Sequence, residues 1–256
     1  MPEPATLGAL RELAEAVRPT TLAAERRLPV ATPLQPLLPH QGLQRGTTVA
    51  VDGTGATSLT LALASEASKD GSWVGFVGAA TLGWAAVADA GIDLARTLVV
   101  TDVPTGSWAT ATAALVDAVD LVVISPSHSV RAQDGRRLAA RARERGAVLI
   151  VLASRFGWPL EPDVRLTATH RRWTGVGQGH GRLTARSVLV AAEGRRAAAR
   201  QRRVAMWLPS VRGVVAVDRS DAGTIDEVVE ERAAEAATAD VLPWRARSGS
   251  RRSRAG

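Results

Sequence analysis

The sequence predicts an α/β fold in which helices cover both faces of a parallel sheet and an antiparallel hairpin closes one side. Between residues 48 and 153, short apolar runs alternate with helical patterns, as in sheets buried on both faces. After Pro162 the helical patterns stop, and three strand patterns follow, separated by short polar turns. The 256 residues suffice to bury a core without disulfides, and the chain contains no cysteine.

The first 39 residues predict a helix and a connector. Between residues 6 and 17, leucine, alanine and valine recur on one helical face. Pro19 ends this pattern because proline has no backbone N–H to donate. Five prolines fall within residues 19–39, so we expect an extended connector there.

Residues 40–215 predict the core domain. The expected parallel strands are Thr48–Val51, Trp73–Val77, Thr97–Val100, Leu121–Ile124 and Val148–Ala153. The expected helices between them are 57–69, 82–90, 107–118 and 131–145. The closing antiparallel strands are Val164–Thr169, Thr184–Ala191 and Val204–Leu208, joined by a glycine-rich turn at Gly175–Gly181 and an arginine-rich turn at Gly194–Arg203.

Residues 216–256 predict an acidic amphipathic helix and a disordered basic tail. Thr224 and Glu227 have the spacing of a capping box, which places the helix at 224–237. Residues beyond Pro243 are rich in arginine, serine and glycine and cannot bury a core.

Charge is distributed unevenly along the chain. The formal net charge is +7, and residues 165–212 carry eleven arginines against one acid, Glu193. Residues 218–240 carry eight acids against two arginines, whereas residues 243–256 carry five arginines and no acid. Such blocks are typical of solvated faces or of surfaces that meet a charged partner.

Composition and spacing exclude several classes. No apolar run is long enough for a membrane span, and no signal-peptide pattern opens the chain, so we expect a cytoplasmic protein. The four histidines have no metal-ligand spacing, and no nucleophile elbow is present. We therefore expect no metal, no cofactor and no catalytic residues.

The stretch after the first core strand has the layout of a phosphate-binding loop. A strand, a glycine-rich turn and a helix place free backbone N–H groups and a helix dipole together. In the register of an ATP-binding loop, Gly55 is the second glycine, Ala56 replaces the lysine and Thr57 is the Mg²⁺-binding hydroxyl. The loop remnant is Gly53, Gly55, Ala56, Thr57 and Ser58.

Two other interpretations of this stretch remain open. A dinucleotide fingerprint fits Gly53–Ser58, but the second strand lacks the acid that would bind a ribose hydroxyl. A tight strand-to-helix turn without a ligand is the other, and it fits better than the dinucleotide fingerprint does.

The order of these segments resembles the ATPase core of RecA-type recombinases over about residues 40–215. The resemblance rests on Leu43–Val51 before the loop, on Gly75–Ala80, Ala90–Arg96 and Asp120–Ser125, and on Val148–Ser154. It implies that Ala80 replaces the catalytic glutamate, Ser125 the Mg²⁺-organising aspartate and Ser154 the sensor glutamine. Phosphoryl transfer depends on positioning and charge, so we expect no ATPase activity.

A RecA-like core without these groups, in an arginine-rich chain with a basic tail, resembles the actinobacterial ImuA-prime-type accessory proteins of the damage-inducible mutasome. The resemblance implies a non-catalytic adaptor in translesion synthesis during the SOS response. Its partners would be ImuB, a Y-family polymerase homologue, and an error-prone C-family DNA polymerase. A different RecA-like regulator or recombinase paralogue would share much of this pattern. The N-terminal helix is a candidate for self-association.

Two sets of residues are candidates for binding. The partner-binding candidates are Ile225, Val228, Val229, Trp244, Arg245 and Arg247. The DNA-binding candidates are Arg171, Arg172, Trp173, Arg195, Arg196, Arg202 and Arg203. The sequence thus favours an adaptor, with a DNA-binding module as the alternative and an active ATPase or dinucleotide enzyme as a third hypothesis.

Overall fold

The computed structural model describes residues 27–79, 82–152, 157–176, 180–195, 198–211 and 214–218. The chain divides into two units, Met1–Asp218 and Arg219–Gly256, and all described residues belong to the first. The predictions for the helix at 6–17, the helix at 224–237 and the basic tail lie outside the described residues.

Strands and helices alternate through most of the described chain. The strands are β1 (Arg27–Leu28), β2 (Leu43–Gln44), β3 (Thr48–Gly53), β4 (Val74–Val77), β5 (Thr97–Val100), β6 (Leu121–Ile124), β7 (Val148–Leu152), β8 (Val164–Val176), β9 (Gly181–Gly194), β10 (Arg202–Trp207) and β11 (Ala216–Val217). The α-helices are α1 (Ala56–Lys69), α2 (Trp84–Asp89), α3 (Thr105–Ala118) and α4 (Ala132–Arg145), and short 3-10 helices span Thr32–Leu37, Pro39–Gln41 and Leu94–Arg96.

One nine-stranded sheet organises the molecule, in the order β11-β10-β9-β8-β3-β7-β6-β4-β5. Six strands, in the spatial order β8-β3-β7-β6-β4-β5, pair in parallel. The pairs β8 with β9, β9 with β10 and β10 with β11 are antiparallel. The inner parallel strands β3, β4, β6 and β7 are largely buried on both faces because helices cover both, whereas the edge strand β5 is only partly buried. This confirms the predicted fold class.

Two apolar clusters form the core, one on each face of the sheet. On one face, α1 and α2 pack on alternate residues of the parallel strands, with Phe76 and Ile150 among the fully buried ones. On the other face, α3 and α4 contribute Leu115 and Leu138, which pack with Leu149. Alternate residues of each strand therefore enter different clusters, as the period of two in a strand requires.

The expectation of an extended connector at residues 19–39 is wrong over its second half. Thr32–Leu37 and Pro39–Gln41 form 3-10 helices, and Leu34 and Leu37 are fully buried in the core. Proline fixes φ near −65°, a value that a helical turn accepts at its first positions as readily as an extended segment does. The spacing of Leu34 and Leu37 was the signal for a buried turn.

The closing strands are longer than predicted. β8 continues to Val176 and β9 begins at Gly181, so the expected glycine-rich turn at Gly175–Gly181 is partly strand. Cross-strand pairing of Trp173 with Arg186 and of Thr174 with Ala185 extends the hairpin, with register shifts that accommodate the irregular part. Short two-stranded pairing of β1 with β2 was not predicted.

Asp120, just before β6, ties distant parts of the chain together. One carboxylate oxygen accepts a hydrogen bond from Arg45 Nη1 at 2.7 Å, and the other accepts from the Trp73 backbone N–H at 3.0 Å. Asp120 is 8% exposed, and 75 residues separate it from Arg45 in sequence. The pair fixes the segment before β3 against the start of β6.

Candidate functional site

The turn between β3 and α1 is shorter than a phosphate-binding loop requires. β3 remains paired with β8 through Asp52 and Gly53. Only Thr54 and Gly55 then separate the strand from Ala56, the first residue of α1. The first N–H groups of a helix have no intrahelical acceptor, and no described side chain caps them here.

Both glycines of this turn have a left-handed φ, and Gly53 is also required by its close approach to the backbone of β8. Gly53 has φ +85°, and a Cβ there would lie 2.1 Å from the Ala168 carbonyl oxygen of β8. Gly55 has φ +107°, and a Cβ there would lie 2.4 Å from Nη2 of Arg186. The Gly-Thr-Gly sequence therefore lets β8 and an arginine side chain approach the backbone closely.

Arg186, on β9, lies directly against this turn. It is 8% exposed, its Nε donates to the Leu208 carbonyl at 2.9 Å, and its Nη2 donates to the Ser58 hydroxyl at 3.2 Å. The guanidinium carbon is 5.2 Å from the centre of the Trp173 ring, a cation–π distance. The cation therefore covers the first turn of α1 beside Gly55.

Arg186 is a buried cation that lies at the positive end of a helix dipole. Burial lowers the pKa of the Arg186 guanidinium, because desolvation disfavours the charged form. The positive end of the α1 dipole adds to that cost. Among the described residues, no carboxylate lies within ion-pair distance of Arg186; Asp52, three residues before Gly55, forms its ion pair with Arg165 at 3.2 Å.

The remaining residues of the predicted loop point to packing. Ala56 is buried and belongs to the core cluster under α1. Thr57 is exposed, and Ser58 is occupied by its bond to Arg186. A lysine at position 56 would have to bring its aliphatic chain out of the core before it reached the turn.

One of the three positions compared with catalytic groups is described. Ser125 directly follows β6, is partly buried and donates its backbone N–H to the Val77 carbonyl. Because β6 and β3 run parallel with β7 between them, Ser125 and the turn lie at the same edge of the sheet. Ala80 and Ser154 lie outside the described residues.

The DNA-binding candidates separate into two groups. Arg171 and Arg172 lie on β8 level with the end of β10, and Trp173 lies where β8 and β9 begin to extend past β10 as a two-stranded ribbon. Arg195 lies beside the start of β8, about 26 Å from Arg172 at the strand rise of ~3.3 Å per residue, and Arg202, at the start of β10, lies about 17 Å from Arg172 along the strand direction. Arg203 belongs to the second group, and Arg196 lies outside the described residues, as do the partner-binding candidates.

Aromatic and cationic side chains are stacked on the ribbon. Trp173 is 41% exposed and lies 6.3 Å from the His170 ring, and the Arg172 guanidinium lies 5.4 Å from the Trp207 ring. Val176 and Leu183 are also exposed near its tip. The ribbon therefore presents apolar and charged groups to solvent side by side.

Arg186 is the residue of this site that sequence reasoning missed. It occupies the predicted strand Thr184–Ala191 among small and apolar neighbours, and an arginine in such a strand was the available signal. Its contact with Ser58 spans 128 residues of sequence, so the partner was not predictable from local pattern.

The described residues contain neither a metal-binding cluster nor a membrane-spanning helix. Among them, no group of three or more histidine, aspartate or glutamate side chains is placed to hold a metal ion. No helix in the described part of the chain is long and apolar enough to cross a membrane.

Comparisons with known proteins agree with the architecture. A family model described as the MT3502 N-terminal domain matches residues 36–159, and no curated protein matches the chain. The crystal structure of the RadB recombinase superposes with a TM-score of 0.51 and 16% identity, covering 68% of this chain and 92% of that one. This likeness shows the fold, and the described core is RecA-like.

Proposed function

We propose that this chain is a non-catalytic, RecA-like adaptor of damage-induced translesion DNA synthesis. Its partners are the Y-family polymerase homologue ImuB and the error-prone C-family polymerase that acts with it. The RecA-like core supports the scaffold part of the proposal. The choice of partners rests on the sequence resemblance to ImuA-prime-type accessory proteins, including the basic tail.

The observation that carries the non-catalytic role is the contact of Arg186 with the turn after β3. ATP hydrolysis requires a cradle of backbone N–H groups and a lysine that reaches the β- and γ-phosphates. Here Arg186 covers that first helical turn, and the residue in the lysine position, Ala56, is packed in the core. Both features support a scaffold rather than an ATPase.

The interface with the polymerase homologue is assigned to residues 224–256, where an acidic stretch is followed by an arginine-rich one. Trp244 is the aromatic anchor of this assignment, because aromatic side chains often dominate the binding energy of an interface. Arg245 and Arg247, which follow it, would meet acidic groups on the partner.

Co-purification with ImuB tests the adaptor role. The full chain is compared with a chain that ends at Gly223, which keeps every described residue. We expect the full chain to bind and the shortened chain to lose binding. Binding that survives the truncation contradicts the assigned interface, and failure of the full chain to bind contradicts the adaptor role.

Point variants in the tail localise the contact. Trp244→Ala and the pair Arg245→Gln/Arg247→Gln should weaken co-purification strongly. The pair Arg251→Gln/Arg252→Gln removes the same charge from the same tail and is the matched control. Equal losses from both arginine pairs would mean that net charge, rather than the Trp244 region, determines binding.

A second candidate function is binding of single-stranded or duplex DNA by the β8–β9 ribbon. The exposed Trp173 ring, flanked in sequence by Arg172, favours it, because bases stack on aromatic rings and arginines neutralise phosphates. Arg171→Gln/Arg172→Gln should reduce the slope of log affinity against log salt by roughly 1.4 for single strands, at ~0.7 per phosphate contact. An unchanged slope would contradict this function.

A further inference from the structure

The α4 helix (Ala132–Arg145) is a surface rich in arginine. It buries only Gly135, Leu138 and Ala142, a narrow stripe that packs on the sheet. Five of its fourteen residues are arginines, against two acids, Asp134 and Glu144. Most of the helix circumference is therefore polar and faces away from the core.

The arginines of α4 divide into two sets by their contacts. Arg141 and Arg145 both donate to the Asp117 carboxylate on α3, which fixes the two helices together. Arg136, Arg137 and Arg143 form neither a hydrogen bond nor an ion pair with any described residue, and neither does Arg131 just before the helix. The contacts of Arg141 and Arg145 are those of a structural pair, whereas the second set has no structural role in the described fold.

Two members of the second set line one cavity. It has a volume of about 260 Å³ and lies between α4 and the segment before β8, with Arg136, Arg143, Arg195, Trp158, Glu161 and Asp163 among its walls. Thr48, at the start of β3, also lines it. The cavity is thus at the N-terminal edge of the parallel strands, opposite the turn after β3 and separate from the ribbon.

The donors of this cavity outnumber the available acceptors. Both oxygens of Asp163 are occupied: one accepts from the Thr48 backbone N–H at 2.9 Å and the other from Arg195 at 3.2 Å. Trp158 has a buried indole Nε1–H that finds no acceptor among the described residues. Arg136, Arg143 and the indole of Trp158 have no hydrogen-bond partner among the described residues, and the Asp163 carboxylate in the same cavity already accepts two hydrogen bonds.

We propose that this cavity and the adjoining face of α4 bind the phosphodiester backbone of a nucleic acid. Arginine forks match the geometry of phosphate oxygens and can donate to two of them at once. Arg136 and Arg143 are seven residues apart, a rise of about 10.5 Å along the helix. Because that separation exceeds the width of one phosphate group, the two arginines are placed to contact different phosphates of one chain. The inference is independent of the adaptor role and shares only its ligand class with the second candidate function.

The test measures binding of a fluorescein-labelled single-stranded oligonucleotide to the full chain by fluorescence anisotropy over a range of salt concentrations. The variant Arg136→Gln/Arg143→Gln removes the two cavity arginines. The control variant Arg131→Gln/Arg137→Gln removes the same charge. Arg131 directly precedes α4 and Arg137 lies on it, and neither residue lines the cavity. All four arginines are exposed and form no ion pair with a described residue, so circular dichroism should show that both variants fold.

We expect the cavity variant to bind at least tenfold more weakly at fixed salt, because hydrogen bonds to charged groups contribute strongly. Its salt slope should fall by about 1.4, the value for two single-strand phosphate contacts. The control variant should keep its slope within about 0.3 of the slope of the unsubstituted chain.

Four other outcomes would overturn the proposal. Equal weakening in both variants would mean that binding follows net charge alone. Loss of binding only in Arg171→Gln/Arg172→Gln would place the nucleic acid on the ribbon, leaving the second candidate function intact. Absence of oligonucleotide binding would contradict both. Binding of inorganic phosphate or of polyglutamate, without the oligonucleotide, would assign the cavity to a small anion or an acidic polypeptide.

Discussion

Replacement of Gly53 by alanine tests whether the glycines after β3 serve packing. An alanine Cβ would lie 2.1 Å from the Ala168 carbonyl oxygen, whereas carbon–oxygen contacts normally begin at about 3.3 Å. β3 and β8 must therefore separate by roughly 1 Å, which costs ~1–3 kcal/mol as other overpacked sites do. The left-handed φ of +85° adds ~1–2 kcal/mol for a residue with a Cβ.

The expected loss is about 3 kcal/mol in the free energy of unfolding, after a small gain from a stiffer unfolded chain. Gly106→Ala is the matched control, because Gly106 lies in the first turn of α3 and has no atom within 4 Å of the added Cβ. This control should gain about 0.5–1 kcal/mol, as alanine does over glycine in helices. The two glycine variants thus have opposite predicted signs.

Urea unfolding followed by tryptophan fluorescence measures both variants, since the chain has seven tryptophans. Neutral surface substitutions usually change the free energy of unfolding by less than about 0.5 kcal/mol. A change of that size for Gly53→Ala would refute the packing argument. So would equal destabilisation by Gly106→Ala.

Three further outcomes follow from the described contacts. Ala56→Lys should not create ATP binding in isothermal titration, because Arg186 still covers the turn; saturable binding would contradict this. Asp120→Asn should lose about 2–4 kcal/mol of unfolding free energy, since the ion pair of Asp120 with Arg45 is largely buried. Asp117→Asn should lose under ~1 kcal/mol, because the arginine partners of Asp117 are exposed. Equal losses of the two variants in urea unfolding would contradict this difference. Leu37→Ala should cost ~3 kcal/mol in the same assay, as expected of a fully buried leucine, and a neutral result would mean that the 3-10 turn is not part of the core.

The parallel half of the sheet was predictable because its signal is local. Leu121–Ile124 is a continuous apolar run, fully buried, with the same bounds in the sequence prediction and in the structure, and the partly exposed edge strand Thr97–Val100 also has the predicted bounds. A strand buried on both faces needs nothing but its own residues to be recognised. The 3-10 turn at Thr32–Leu37 was missed because its prolines suit both an extended and a helical backbone.

The candidate site was predictable only in part. The alanine at position 56 is visible in the sequence, and with it the missing lysine. The position of Arg186 is not visible, because it depends on the register of β9 against β8 and on the segment after β10. The same limit applies to the α4 cavity, where residues from β3, α4 and the segment before β8 meet through the packing of the sheet.

The contact between Arg186 and Gly55 also has an evolutionary consequence. A lineage with this contact has no single-substitution path back to a working phosphate loop. Introducing the lysine first would place a second cation beside a buried one, and removing Arg186 first would leave the turn with no cation for the phosphates. Each single step is unfavourable or without benefit, so the Arg186 contact makes the present turn hard to convert into a phosphate site by single substitutions, and change by selection is easier at the surfaces of the fold.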